Sequence, residues 1–106
     1  MIAINSENFL DATVTADSIS KTILLPLKAK GLIFEVNGTG EFSVRIETSP
    51  DGTNWYSINE LDPFSVDTMQ SLSDTINIFK YVRAKIDIGI SGSVTICRVH
   101  HTTFVK

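Results

Sequence analysis

Ser49-Pro50-Asp51-Gly52-Thr53-Asn54-Trp55 reads as a turn with a strand written on each side. Pro50 presets φ for the first corner, and Gly52 accepts a positive φ without a Cβ clash. Asp51 is the residue type that folds its carboxylate back onto nearby backbone N–H groups. Upstream, Glu41-Phe42-Ser43-Val44-Arg45-Ile46-Glu47-Thr48 alternates polar and apolar without a fault, which is the period of a half-buried strand. Downstream, Trp55-Tyr56-Ser57-Ile58 is a short β-prone run. The stretch therefore commits the chain to antiparallel β structure.

The same period recurs outward from this hairpin. Ser18 to Leu25 is expected to form a strand, with Pro26 at its end because proline cannot donate to a ladder. Lys28-Ala29-Lys30-Gly31 turns the chain into Leu32 to Asn37, which sets Leu32, Phe34 and Val36 on one face. Gly38-Thr39-Gly40 connects to the hairpin. Ile76 to Ile90 puts Val82, Ala84, Ile86 and Ile88 on the core side, and Ser93 to Val99 completes the set, running on towards Phe104. Asn59 to Asp74 is the least regular part: a short strand is expected around Phe64 to Val66, and Ser71 to Asp74 reads as loop. Ser6 to Leu10 offers one helical turn. The sum is a single all-β domain over residues 1–106, an antiparallel β-sandwich of seven or eight strands and jelly-roll-like. Residues 1–16 are weakly patterned and are expected to act as an N-terminal arm.

Composition narrows function mostly by exclusion. A chain of 106 residues buries roughly two-thirds of its unfolded surface, enough for one core and no separate catalytic domain. The formal net charge is −3 with both signs scattered, so neither nucleic acid nor a membrane surface is an expected partner. The N-terminal residues lack a basic segment followed by a long apolar one, and the chain is expected to be soluble without a secretory address. Cys97 is the single cysteine; it cannot form an intrachain disulfide, and its strand-like context reads as a small semi-buried side chain.

No residue set announces a reaction or a cofactor. His100 and His101 are neighbours in a strand and point to opposite faces, so they do not share a metal. No serine sits in a Gly-x-Ser-x-Gly elbow. Glu41, Glu47, Asp51, Glu60, Asp62 and Asp67 fall where solvated strand faces and loops are expected, and Asp51, Asn54, Asp62 and Asp67 lack EF-hand spacing for calcium. Gly38-Thr39-Gly40 lacks the lysine and helix of a phosphate loop. The aromatic neighbours Trp55 and Tyr56 must face opposite sides of their strand, one towards the core and the other exposed to stack on a sugar or anchor an interface.

Two stretches carry a resemblance: Glu47 to Ile58, with its S-x-D-G-x-N-W turn, and Phe79-Lys80-Tyr81-Val82-Arg83-Ala84-Lys85-Ile86. Together they resemble the small β-sandwich structural proteins of tailed-phage virions, including head decoration proteins and tail or fibre modules. They are also similar to discoidin-like galactose-binding jelly rolls. In such sandwiches the Tyr-Val-Arg strand pairs in the core and the last strand follows a glycine turn, as Gly89 to Val99 would. Discoidin domains are longer and often carry a terminal disulfide, which a single cysteine forbids, so the virion resemblance is the closer fit. It implies a non-enzymatic capsid decoration or cement (auxiliary head) protein, assembled in the host cytoplasm and resident in the virion. The implied partners are capsid or tail subunits and further copies of the chain, with no cofactor. The alternative it implies is a carbohydrate- or receptor-binding module of a tail fibre, with a glycan as partner. Under either reading the expected contact residues are Trp55, Tyr56, Asp51, Asn54 and Phe64.

Overall fold

The computed structural model describes residues 2–26, 29–73 and 78–104. Among these the chain forms β1 (Ile2–Asn8), β2 (Ser18–Ile19), β3 (Ile23–Leu24), β4 (Lys30–Thr39), β5 (Phe42–Ser49), β6 (Tyr56–Ser57), β7 (Thr68–Ser71), β8 (Tyr81–Ile88) and β9 (Ser93–Phe104). They make two antiparallel sheets, a four-stranded one ordered β1-β9-β4-β7 and a five-stranded one ordered β2-β8-β5-β6, with β3 also on β8. With β2 and β3 counted as two pieces of one strand, the first strand pairs with the last, the second with the next to last, and so inward to β5 and β6. That is a long antiparallel ribbon rolled into a jelly roll. The Ser49–Trp55 turn is its tip.

The two sheets bury the faces that sequence periodicity assigns to the core. Leu32, Phe34 and Val36 of β4 and Val94, Cys97 and Val99 of β9 meet Phe42, Val44 and Ile46 of β5 and Val82, Ala84 and Ile86 of β8. Phe9, Leu25, Ile58, Leu61, Phe64 and Leu72 close the ends from connecting segments. Between the pairs Asn37–Ile96 and Gly38–Val94 the extra residue Thr95 makes a bulge on β9, which resets that strand's alternation so that Val94 and Cys97 both turn inward.

Several local expectations change. Residues 18–25 do not form one continuous strand. Between β2 and β3 the Ser20 hydroxyl accepts the Ala84 N–H at 2.8 Å while the Ser20 N–H donates to the Ala84 carbonyl at 2.9 Å. A side chain replaces one rung of the ladder there, and the strand breaks in two. The helical turn expected over Ser6 to Leu10 is absent: residues 2–8 lie in register along β9, from Ile2 opposite Phe104 to Asn8 opposite Arg98. Ladder pairing to a strand already in the sheet outweighs a lone turn, whose nucleation is unfavourable. The strand expected near Phe64 is an isolated bridge to Val44, and the true strand, β7, begins at Thr68 and includes Ser71. Leu72, read as loop, is buried. Lys28, Asp74 and Ile76, named in the expected turn, loop and strand, lie outside the described residues.

Two glycines hold the connecting turns at one end together. Gly40 has φ +66°, and a Cβ there would fall 2.2 Å from the Ser91 carbonyl oxygen. A Cβ on Gly92 would fall 2.0 Å from the carbonyl oxygen of Glu41. The β4–β5 and β8–β9 turns thus touch backbone to backbone, an approach open only to glycine.

Replacing Phe34, which is fully buried, with alanine is expected to cost about 3–5 kcal/mol in urea unfolding. Ile33→Ala, on the outer face of the same strand, should cost less than half of that.

Candidate functional site

The tip of the ribbon is built by its own polar groups. The buried Ser49 hydroxyl accepts the Gly52 N–H at 2.9 Å and donates to Asp51 Oδ1 at 3.0 Å. Asp51 Oδ1 also accepts the N–H groups of Thr53 and Asn54 at 2.8 and 2.9 Å, and Oδ2 accepts the Asn54 amide at 2.9 Å. These bonds all favour the ionised carboxylate, with the Asn54 and Thr53 backbone N–H groups first, and hold Asp51 down to about 2 from 3.8. The expected contact residues Asp51 and Asn54 are thus the turn's internal fasteners.

Trp55 leaves the tip on the outer face of the five-stranded sheet, where the Arg83 guanidinium lies 4.1 Å from its ring centroid. Arg83 Nε donates in turn to Glu47 at 2.8 Å. Trp55 is half-buried under this stack rather than set into the core. Tyr56 is exposed, with its ring centroid 6.3 Å from that of Phe79. Phe79 is fastened from behind: Thr48 Oγ1 accepts its N–H at 3.0 Å and lies 3.1 Å from its carbonyl. Lys80 crosses the Tyr81 ring at 5.2 Å and lines a shallow groove with Leu24, Leu25 and Pro26. Tyr56, Phe79, Lys80 and Leu24 therefore form a continuous rim at one end of the sheet, rich in exposed apolar surface. Phe64 does not join it; at 1% exposure it is a core residue bridged to Val44 and offers no contact surface.

Phe79 and Leu24 were missed by the sequence reading. Leu24 had a usable signal, since Ile23-Leu24-Leu25 is an apolar triple in extended chain and its middle member must face away from the other two. Phe79 had none, because its exposure depends on how Thr48 holds the segment entering β8.

The outer face of the four-stranded sheet carries a second polar chain. Glu35 Oε1 on β4 accepts from Arg98 Nε and from His100 Nε2, the latter at 2.9 Å. The Arg98 and His100 bonds together draw the Glu35 carboxyl below its usual range. The other ring nitrogen of His100, Nδ1, is hydrogen-bonded to the Ser6 hydroxyl 2.6 Å away. His101 points to the opposite face, buried, with Nε2 donating to Glu7 at 3.2 Å. Each histidine thus fastens β1 to β9 from one side. Two of the other acidic side chains brought forward by the sequence are likewise structural: Glu41 Oε2 accepts the Ile90 N–H at 3.1 Å, and Asp67 Oδ1 accepts the Gly38 N–H at 2.8 Å. Among the described residues no three His, Cys, Asp or Glu side chains converge as a metal centre requires. Burial raises the Cys97 thiol to about 12.

No family model and no curated protein matches this chain. Among solved structures it is similar to PirA, at 16% identity and a TM-score of 0.49, over 92% of each chain.

Two measurements check this geometry. Because the folded-state value of Asp51 lies below its ordinary one, its stabilisation is complete above 3.8 and is lost as the pH falls towards about 2. Asp51→Ala is therefore expected to lower the melting temperature at neutral pH, and the gap from the native chain should close over that acid window. Glu35 titrates in both proteins, so the difference isolates Asp51. Separately, Cys97 should resist an aromatic disulfide reagent at pH 8 in the native protein and react fully once urea unfolds the chain.

Proposed function

We propose that this chain is a non-enzymatic structural protein of a phage virion, a capsid decoration or cement protein that binds assembled subunits through the Tyr56–Phe79–Lys80–Leu24 rim. The observation that carries this reading is the contrast between that rim and the remaining candidate residues. Asp51, Asn54, Glu47 and Glu35 are engaged within the fold, whereas Tyr56 and Leu24 are more than half exposed and Phe79 is 46% exposed beside them. Exposed aromatic and aliphatic groups on a rigid sheet end are what a protein interface uses as anchors. The two-part resemblance over Glu47–Ile58 and Phe79–Ile86 supports the assignment to a virion, with assembly in the host cytoplasm. A decoration protein works by binding the assembled lattice in preference to free subunits, which stabilises the lattice by mass action.

The test is cosedimentation with capsids of the encoding phage that lack this protein. The native chain should bind saturably and raise the capsid melting temperature. Tyr56→Ala and Phe79→Ala should each weaken binding by about 2 kcal/mol while the isolated protein keeps its fold. No binding to capsids or tails would overturn the proposal.

The exposed Tyr56 ring also favours the alternative, a glycan- or receptor-binding module of a tail fibre. That reading predicts hits on a glycan array and a change in Trp55 fluorescence on sugar addition, both lost in Tyr56→Ala.

A further inference from the structure

The four sheet edges are unequal. β2, β3 and β6 have two residues each and β7 has four, whereas β1 runs for seven. Short edges are how sandwiches avoid unwanted pairing, and proline or lysine on the edge serves the same end. β1 has neither: it reads Ile-Ala-Ile-Asn-Ser-Glu-Asn, with Glu7 as its single charge. Its register on β9 is continuous, without a bulge.

Among the described residues no strand pairs with the outer side of β1, and that side offers its hydrogen bonds in a usable pattern. The Phe9 N–H donates to the Cys97 carbonyl at 2.8 Å, continuing the register in which Asn8 faces Arg98. By antiparallel alternation Asn5 and Glu7 turn their backbone groups towards β9, and Ile4, Ser6 and Asn8 turn theirs to the open edge. The side-chain pattern is inverted as well. Glu7 lies on the core side and reaches the buried His101, while Ile4 stands on the outer face and is 78% exposed. A strand that turns its isoleucine to water while a carboxylate lies beneath it has not been patterned for its own core alone.

From this geometry we propose that two copies of the chain pair β1 to β1, antiparallel about a two-fold axis, joining two four-stranded sheets into one. The strand is complementary to itself in that arrangement. Full overlap of residues 2–8 centres the axis on Asn5, places Ile4 across from Ser6 of the second copy, and sets the two Ile4 positions diagonally adjacent on one face. Glu7 then lies across from Ala3 of the second copy instead of facing its like. Residues Ile4 and Ser6, which point backbone groups outward, fall opposite each other as a hydrogen-bonded pair. The histidine contacts hold β1 in place beforehand, through Ser6 to His100 at 2.6 Å and Glu7 to His101 at 3.2 Å. Little order therefore has to be created on association. The pairing does not depend on the virion assignment.

Sedimentation velocity of the full chain across a wide concentration range tests it. The native protein is expected to dimerise reversibly. Ile4→Lys should weaken the dimer by about tenfold or more through like-charge approach. Ile4→Pro should weaken it too, because it deletes an N–H aimed at the second copy and none aimed at β9. An equimolar mixture of Ile4→Lys and Ile4→Glu should recover a heterodimer, with circular dichroism showing each variant folded. A native chain that is monomeric throughout would overturn the proposal. So would a dimer indifferent to both single substitutions, or folded Lys and Glu variants that fail to pair with each other. A dimer that forms in a protein with no affinity for capsids would support this pairing while counting against the virion reading.

Discussion

Everything else in this fold is placed by the register of β5 on β8, eight consecutive pairs from Phe42 opposite Ile88 to Ser49 opposite Tyr81. In that alignment the two period-two patterns coincide: Val44 beside Ile86 and Ile46 beside Ala84 face the core, while Arg45 beside Lys85 and Glu47 beside Arg83 face out. A slip by one residue would reverse both faces of β5 and put Arg45 and Glu47 into a core whose central side chains are wholly dry. The energetic cost of that exchange makes the pairing unique. It also puts Glu47 within reach of Arg83, which is how Arg83 comes to lie over Trp55.

The ends of the paired strands inherit their geometry from this alignment. At one end Ser49 is wholly buried opposite Tyr81, and its hydroxyl has to find partners inside the turn; it finds them in the Gly52 N–H and the Asp51 carboxylate. Thr48, next to it, fastens the backbone of Phe79 and so sets the exposed aromatic rim. At the other end the β4–β5 and β8–β9 turns are pressed together at Gly40 and Gly92. The candidate contact surface is thus a consequence of how the five-stranded sheet is closed. The four-stranded sheet is finished differently, by a long edge strand held through one histidine on each face.

The polar side chains divide by what holds them. Glu35, Glu47 and Asp51 each accept hydrogen bonds from groups fixed by the fold, and for Glu35 and Asp51 this draws the carboxyl below its usual range. Such groups stiffen turns and sheet faces, and they are poorly placed to take up a substrate or an ion. The exposed rim at the end of the five-stranded sheet, by contrast, is apolar and aromatic, with Tyr56, Phe79 and Leu24 open to solvent.

The sequence by itself determined the fold class, the inward faces of β4, β5, β8 and β9, the polar turn at Ser49–Trp55 and the opposed directions of His100 and His101. All of these follow from alternation and turn chemistry, which act between residues close in the chain. Only the tertiary structure decided that Phe64 is buried, that Trp55 lies under Arg83, that residues 18–25 break around Ser20 and that Phe79 joins Tyr56 at the surface. Each of these depends on a partner far along the chain: Val44 for Phe64, Arg83 for Trp55, Ala84 for Ser20 and Thr48 for Phe79. The N-terminal strand shows the same division most plainly. Its residues are only weakly patterned in the sequence; both its pairing and the face it turns to the core were set by the register of β1 on β9, and that register left Ile4 in solvent.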